Sequence, residues 1–366
     1  MNILPDNCHL TVSHLSVTNR MEEDQRKVEQ GLEERFTEST DLEEILCVFS
    51  QIKAGLGLSS QPGTMSEGFS SLQEHLSARI PHRYSDLFRL IKQRSAEKEY
   101  CDNKVASGLN VLIIGKQKRK NLNNLTARYF LGGGPCGLRM ALETQLLGAR
   151  TTLIESRQAM DRNNVVKLWS FVMEDLRSLG AKKLYPQFGN GSVNHISIRM
   201  LQLILLKIVL ILGAAVRSRE TLQSILPPRA GLGWQVVTVV RDTGGEMVDW
   251  RQQEYHVVIS ATGRKVPLEG FQRKSLDAKM SIAITANFVN SNTSAERKVQ
   301  EIPGLSKQYD LKFFKQMESV VGLRLENIVY FRDLTHYFVM TVKKDSLARK
   351  GVIKVLSVNS RQMTDR

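Results

Sequence analysis

The sequence predicts an α/β protein in which a parallel sheet is joined by a second, antiparallel sheet layer and preceded by a helical region. The first observation is the apolar run Val111–Ile114, which leads, after an interruption, into glycines at the spacing that joins a strand to a helix. The second is the next apolar run, Thr151–Glu155, which completes a strand–helix–strand unit. The third is a set of later runs of strand length, Ile282–Val289, Ile328–Phe331 and Tyr337–Val342, which we expect to pair as an antiparallel sheet.

Between these runs the sequence predicts two helices and two further strands. A helix is expected from Pro135 to Leu147, with Gly148 ending it. The segment Ile196–Leu212 is apolar on nearly all faces, which indicates a buried helix. Trp234–Val240 and Tyr255–Ser260 have the pattern of strands.

The residues before the first strand are predicted to be helical. From Asp41 to Tyr100, apolar residues recur at helical spacing, and a Gly/Ser/Pro stretch near Leu56–Gly63 breaks the pattern. We therefore expect a helical N-terminal region with a flexible tail over residues 1–105. The α/β domain is expected over residues 106–366, with its antiparallel sheet over residues 281–345.

Composition limits the class of protein. A hydrophobic content of 42% and a charged content of 24% are typical of a folded soluble protein. The formal charge of +14 would favour acidic partners, but five of the positive residues lie in residues 116–132, which contain no acid, and we expect no nucleic-acid partner. The apolar run Met200–Val216 contains Gln202 and Lys207, which argues against a membrane span. The four cysteines lack metal-type spacing, so we expect no metal site and a reducing, intracellular setting.

The glycine-rich segment contains a dinucleotide-binding pattern with an insertion in its first turn. Without residues 116–132, the first strand runs directly into G-x-G-x-x-G, with Gly115, Gly134 and Gly137 as the glycines. The first glycine permits a tight turn, the second lets the backbone approach a pyrophosphate, and the third lets the helix pack closely on the strand. The pattern predicts a Rossmann-like sheet on which phosphates meet the N-terminus of the following helix.

The inserted segment allows two arrangements. We expect Lys116 to about Ala127 to loop out while Val111–Ile114 keeps its place in the parallel sheet. In the alternative, Thr126–Leu131 takes that strand position, because it also runs into G-x-G-x-x-G. Arg128 and the aromatic side chains make it a poorer buried strand.

A carboxylate at the end of the second strand indicates the kind of cofactor. Glu155 closes that strand, where an acid can accept hydrogen bonds from the adenosine ribose hydroxyls. Because an acid there disfavours a 2′-phosphate, the pocket suits the adenosine half of FAD or NAD better than that of NADP.

Several longer motifs resemble one known family. The strings GGPCGLR from Gly133, ESRQAMDRNNVVKLW from Glu155, the segment Leu176–Gly213, and later AITANFVN and THYFVMTVKK are similar to the MICAL proteins. The similarity is to their amino-terminal flavoprotein monooxygenase domain, which oxidises methionines of filamentous actin. It covers about Asn110 to Ile353, apart from the insertion.

The resemblance implies a hydroxylase-like, FAD-dependent monooxygenase that consumes NADPH, acts on filamentous actin and is cytoplasmic and associated with the cytoskeleton. Together with the glycine pattern, it implies cofactor-binding roles for ten residues and identifies no catalytic residue. These residues are Gly115, Gly134, Cys136, Gly137, Glu155, Arg157, Arg162, Asn164, Arg199 and Leu222.

Some of these side chains have other interpretations. Cys136 is equally a small residue that fits the turn, and Leu222 alone is typical of a core residue. Trp169 is expected either near the flavin or in the core. His195 and His336 are expected to be hydrogen-bonded structural histidines rather than acids or bases.

The chain departs from the family pattern in three places. The insertion displaces the phosphate turn, and Thr262-Gly263 stands where the family has Asp-Gly. After Ile353 the resemblance ends, so we expect a truncated domain whose turnover is impaired. Two alternatives stay open, a non-catalytic fragment that binds actin or a family partner, and a generic NAD-binding protein. The oligomeric state also stays open.

Overall fold

The chain forms two compact units. A computed structural model describes residues 31–80, 82–84, 86–101, 105–114, 132–189, 194–229, 231–242, 244, 246–263, 274, 281–304 and 310–353. The first unit consists of Met1–Met160, Glu174–Gln187 and Met200–Val266, and the second of Asp161–Met173, Phe188–Arg199 and Pro267–Arg366. The helical N-terminal residues and the parallel sheet therefore belong to the same unit.

The N-terminal part of the first unit is helical, as predicted. Its helices are α1 (Leu32–Glu38), α2 (Leu42–Gly55), α3 (Phe69–Arg79), α4 (Leu87–Ser95) and α5 (Lys98–Cys101), and 3-10 turns span Met65–Glu67 and His82–Tyr84. The side chain of Asp41 caps α2 by accepting a hydrogen bond from the Glu44 amide at 2.9 Å. The apolar faces are buried, with Phe36, Ile45 and Ile91 fully enclosed.

The parallel sheet has the strand order β5-β2-β1-β9. Its strands are β1 (Asn110–Ile114), β2 (Arg150–Ile154), β5 (Ala215–Arg217) and β9 (Val257–Ser260). Every residue of Val111–Ile114 is buried, as expected for a strand covered on both faces. Helix α6 (Pro135–Leu146) connects β1 to β2, and Gly148 follows it with a φ of +94°. The predicted strand–helix–strand unit is confirmed, except that β2 ends one residue before Glu155.

A buried helix and a second sheet complete the first unit. Helix α9 (Ile198–Ile211) begins two residues later than predicted, because Ile196 pairs with Val166 as part of a strand. Lys207, near the end of this apolar helix, donates hydrogen bonds to the carbonyls of Thr37 at 2.6 Å and Ser39 at 2.9 Å. The Lys207 ammonium group therefore donates hydrogen bonds to carbonyl groups at the C-terminus of α1, where the last carbonyls lack partners within the helix.

The antiparallel sheet of the first unit has the order β6-β7-β8. It consists of β6 (Glu220–Leu226), β7 (Trp234–Arg241) and β8 (Met247–Tyr255). The predicted strand Tyr255–Ser260 is therefore divided, since Tyr255 ends β8 and β9 begins at Val257.

The second unit contains the predicted antiparallel sheet. Strands β10 (Ile282–Val289), β11 (Leu325–Arg332) and β12 (Thr335–Val342) have the order β10-β12-β11, and both pairings are antiparallel. A short pair joins β3 (Val165–Lys167) to β4 (His195–Ser197). The remaining helices of the chain are α7 (Ser170–Ser178), α8 (Ala181–Leu184), α10 (Ser294–Lys298), α11 (Leu311–Val321) and α12 (Lys344–Arg349).

The sequence predicts neither a membrane-spanning helix nor a metal site. Among the described residues, no helix has the length and apolar character needed to cross a membrane. The same residues hold no group of three or more His, Cys, Asp or Glu side chains arranged to bind a metal ion.

Candidate cofactor site

The glycine turn leads directly into α6. Gly134 is the N-cap residue, in an extended conformation, and Pro135 occupies the first turn of the helix. The glycine N-cap has no side chain to accept hydrogen bonds from the amides of the first turn, which is the arrangement that suits an anion at a helix N-terminus. Cys136 also lies in this first turn and is exposed, with a free thiol. The structure therefore places Gly134 and Cys136 where the sequence predicts a phosphate contact.

Gly137 occupies a position that only glycine fits. A Cβ atom added there would overlap the carbonyl oxygen of Gly132 and lie 3.0 Å from the Cβ of Ala261. Helix α6 thus packs closely against the turn and the end of β9. Allowing this close packing is the role of the third glycine in the pattern.

Gly132 is the first glycine of the alternative pattern, whereas the preferred pattern begins at Gly115. Gly115 lies outside the described residues. In the structure the carbonyl of Gly132 is the atom against which Gly137 packs. The signal was present in the sequence, because Gly132–Gly137 by itself has the spacing G-x-G-x-x-G.

The first strand keeps its predicted place despite the insertion. Val111–Ile114 pairs in parallel with β2 on one side and with β9 on the other. The alternative, in which Thr126–Leu131 takes this strand position, is therefore wrong. The predicted loop of Lys116 to about Ala127 lies outside the described residues.

Glu155 lies against the glycine turn with its carboxylate fully buried. Its Oε2 atom accepts a hydrogen bond from the Gly133 amide at 2.8 Å, and its Oε1 atom accepts one from the Arg157 amide at 3.0 Å. The Arg157 Nε atom lies 3.5 Å from Oε1. Burial raises the pKa of Glu155, and the Arg157 charge and the backbone amides oppose that increase. The predicted carboxylate is thus held against the turn by protein donors.

A second buried side chain holds the same peptide segment. Gln202, on α9, donates a hydrogen bond from Nε2 to the carbonyl of Gly133 at 2.6 Å. Its Oε1 atom accepts no hydrogen bond from the described residues. Gly133 is therefore fixed through its amide by Glu155 and through its carbonyl by Gln202. In the sequence, Gln202 is only a polar residue within an apolar helix. No residue spacing indicates that its side chain contacts the turn.

Leu222 occupies a core position in the first unit. It is buried in β6, where it pairs with Thr238 just before a register shift between Leu222 and Ser224. Its burial agrees with the interpretation of Leu222 as a core residue. A contact between Leu222 and adenine stays a prediction.

Three candidate residues come together within the second unit. The Arg199 amide donates to the carbonyl of Arg162 at 3.0 Å, and the Ile198 amide donates to the carbonyl of Asn164 at 2.9 Å. The Asn164 side chain donates to the Tyr337 hydroxyl at 3.3 Å. The segment predicted to lie along the cofactor is therefore fixed to the start of α9.

The structure also places the ambiguous aromatic and histidine side chains. Trp169 is 76% exposed, so the core alternative is wrong. His195 pairs with Glu301 at 3.2 Å, and His336 Nδ1 is hydrogen-bonded to the Tyr330 hydroxyl at 2.7 Å. Both histidines are hydrogen-bonded, as predicted.

Thr262 stands where the resemblance leads us to expect an acid. Its side chain is buried, and its hydroxyl lies 3.0 Å from that of Ser260. A neutral hydrogen-bonded pair thus occupies this position.

Comparisons with known protein sequences point to the same family. The family described as "Mical, Rossman domain" matches residues 280–365. The chain is 41% identical over 337 residues to F-actin monooxygenase mical2b of Danio rerio, covering 90% of this chain and 18% of that protein. It is 39% identical over 332 residues to F-actin monooxygenase MICAL3 of Homo sapiens, covering 87% of this chain and 15% of that protein. The chain thus spans less than a fifth of the length of these relatives.

Among solved structures, the flavin-dependent monooxygenase PieE, determined in complex with FAD and substrate, is similar with a TM-score of 0.38 and 14% identity. That likeness covers 70% of this chain and 46% of PieE. The matches to these two relatives extend over 87% to 90% of this chain. This chain belongs to the MICAL family.

Proposed function

We propose that this chain forms the FAD-binding part of a flavin-dependent monooxygenase that oxidises methionines of filamentous actin. The observation that carries the proposal is the turn Gly132–Gly137 at the N-terminus of α6, with the buried carboxylate of Glu155 against it. This pairing of an open helix N-terminus with an acid at the end of the next strand is the arrangement that binds a dinucleotide.

The residues of the turn fit the phosphates of FAD. The amides of the first turn of α6, including that of Cys136, would donate to the pyrophosphate, and Gly134 lets it approach the backbone. Gly132 would take the role that the sequence pattern assigned to Gly115. The Arg157 guanidinium would add positive charge beside the same group.

Glu155 fits the adenosine ribose by its chemistry. A carboxylate can accept hydrogen bonds from ribose hydroxyls, which would replace weaker contacts such as that of the Ser156 hydroxyl at 3.5 Å. Because the side chain is fully enclosed, binding of the ribose would require local opening beside the turn. Leu222 would contact the adenine mainly through its backbone.

In the second unit we propose cofactor contacts for Arg162, Asn164 and Arg199. Their backbone hydrogen bonds fix the peptide from which the side chains extend. Arg199 would offer its planar guanidinium to pyrophosphate oxygens. We also propose that residues 281–345 form the antiparallel sheet part of the monooxygenase domain and that residues 1–105 form its helical N-terminal region.

A bound FAD would use two electrons from NADPH to reduce molecular oxygen, placing one oxygen atom on a methionine sulfur and the other in water. The product, methionine sulfoxide, is polar and chiral where methionine is flexible and apolar. Names of relatives such as F-actin monooxygenase support actin as the substrate and a place at the cytoskeleton. The residues described above would bind and orient the cofactor.

The test is the flavin content and activity of the purified chain. We expect a yellow protein whose oxidation of NADPH is stimulated by filamentous actin, with turnover reduced by the insertion. Methionine oxidation in the actin is then read by mass spectrometry. A colourless protein that still sediments with filamentous actin would instead support the non-catalytic fragment.

A further inference from the structure

A cavity of about 280 Å³ opens in the first unit, and none of the candidate cofactor residues lines it. Its walls come from the end of α2, the segment that leads into α3, the first residue of β2 and the end of α9. It is thus a separate concave site built by the N-terminal helices and the buried helix.

The inner wall of the cavity is apolar. Phe69 and Leu72, from α3, and Leu210 and Ile211, from α9, line it and are buried. Leu58 adds a further aliphatic side chain. Such a surface favours an apolar chain over water, because moving methylene groups out of water is favourable.

The charged groups in the lining leave one cation without a counter-ion. Arg150 Nη2 lies 2.5 Å from Glu67 Oε1, so these two charges pair with each other. The pKa of Glu67 is lowered, first by the hydrogen bond from the Thr64 amide and also by Arg150. Lys53 makes no ion pair or side-chain hydrogen bond with the described residues, and its partial burial lowers its pKa. Within the part of the chain that the structure describes, the lining therefore carries a lysine charge without a counter-ion beside an apolar wall.

We propose that this cavity binds a small monocarboxylate with a short apolar chain, whose carboxylate pairs with Lys53 and whose chain packs on the apolar wall. A neutral ligand would leave Lys53 without a counter-ion. A dianion would lack a second cation, because Arg150 is paired with Glu67. The cavity, at about 280 Å³, lies just below the usual range of small-molecule pockets, roughly 300 to 1,000 Å³, so we expect a short chain such as that of hexanoate.

The test is titration of the full chain with hexanoate by calorimetry or ligand-observed NMR. We expect a dissociation constant of about 1 mM or lower, and binding at least about tenfold weaker for Lys53→Gln. The matched control is Lys92→Gln, which changes an exposed lysine in the last turn of α4 and should leave hexanoate binding unchanged. The uncharged analogue 1-hexanol should bind at least about tenfold more weakly than hexanoate.

A second measurement on the wild-type chain locates the ligand even if Lys53→Gln does not fold. Trinitrophenylation of each lysine is followed by mass spectrometry, and hexanoate should slow modification of Lys53 but not of Lys92. The proposal is overturned if hexanoate does not bind, if Lys53→Gln binds it equally well, if 1-hexanol binds as tightly, or if Lys53 is not protected. None of these readouts depends on flavin, so they are independent of the proposed monooxygenase activity.

Discussion

The parallel sheet of the first unit and the antiparallel sheet of the second unit differ in how much of each strand is buried. In β1 and β2, every residue after the first is buried. In β10, no residue is buried, and Phe288 and Val289 are exposed. Two small clusters of buried residues lie around the second sheet, Phe314, Leu325, Val342 and Leu347 in one and Val165, Phe331 and Tyr337 in the other, and Tyr330 of β11 is also buried.

The difference shows where a single change can have a large effect. Around the glycine turn, the side chains of Glu155 and Gln202 both hydrogen-bond Gly133, and a Cβ added at Gly137 would overlap the carbonyl oxygen of Gly132. Close-packed regions of this kind respond strongly to small changes in volume or hydrogen bonding. In the second unit, we expect single changes to have smaller effects on stability.

The largest effect is expected for Gly137→Ala. The added methyl group would overlap the carbonyl oxygen of Gly132, so the backbone of the turn would have to move. We expect a loss of about 3 kcal/mol in the free energy of unfolding and loss of bound flavin. Urea denaturation and the absorbance of the purified protein measure the two effects.

The matched control is Gly55→Ala at the end of α2, where an added Cβ meets no atom within 4 Å. This control should be close to neutral. Equal flavin content in the wild type and Gly137→Ala would contradict the close approach at the turn.

The next effect is expected for Glu155→Gln, which leaves a backbone amide of the turn facing an NH₂ group. The expected cost is about 2 kcal/mol near pH 5, with weaker flavin binding. Burial raises the pKa of Glu155 in the folded state, so its contribution to stability is present below its unfolded pKa of about 4.3 and is lost as the pH rises through the folded pKa. Because Gln does not titrate, the difference in unfolding free energy between wild type and variant should shrink across that range. A difference that grows with pH would show that the folded-state pKa is lowered instead.

A smaller effect is expected for Gln202→Met. This change removes the donor to the carbonyl of Gly133 and also removes the buried Oε1 atom that accepts no hydrogen bond from the described residues. Because one unsatisfied group replaces another, we expect a cost of about 1 kcal/mol, with flavin affinity reduced more than stability. Flavin affinity that matches the wild type would mean that Gln202 does not hold the turn.

The smallest effect is expected in the second unit, for Tyr337→Phe. The change removes the hydroxyl that accepts a hydrogen bond from Asn164 and keeps the buried ring. We expect a loss of about 0.5 kcal/mol in the free energy of unfolding. If this loss equals that of Glu155→Gln, the two units do not differ as proposed.

The sequence predicted elements whose signals are local. The strand–helix–strand unit follows from an apolar run, spaced glycines and a second apolar run, and β10 begins and ends at the residues predicted. Contacts between distant residues had no such signal. The hydrogen bond from Gln202 to Gly133 joins residues far apart in the chain, and the exposure of Trp169 depends on tertiary packing.

The insertion leaves two candidates for the first glycine of the pattern. With residues 116–132 removed, Gly115 fits the first position of the pattern, whereas in the structure Gly132 packs against Gly137. Both assignments satisfy the same spacing, and Gly115 lies outside the described residues.

The most direct test of the account is the stoichiometry of FAD in the purified wild-type chain and in Gly137→Ala, measured by absorbance and by release of the cofactor. We expect wild type to retain FAD, close to one per chain when saturated, whereas Gly137→Ala retains little and Gly55→Ala matches wild type. A wild-type chain that is folded but binds no FAD at saturating concentrations would contradict the central claim.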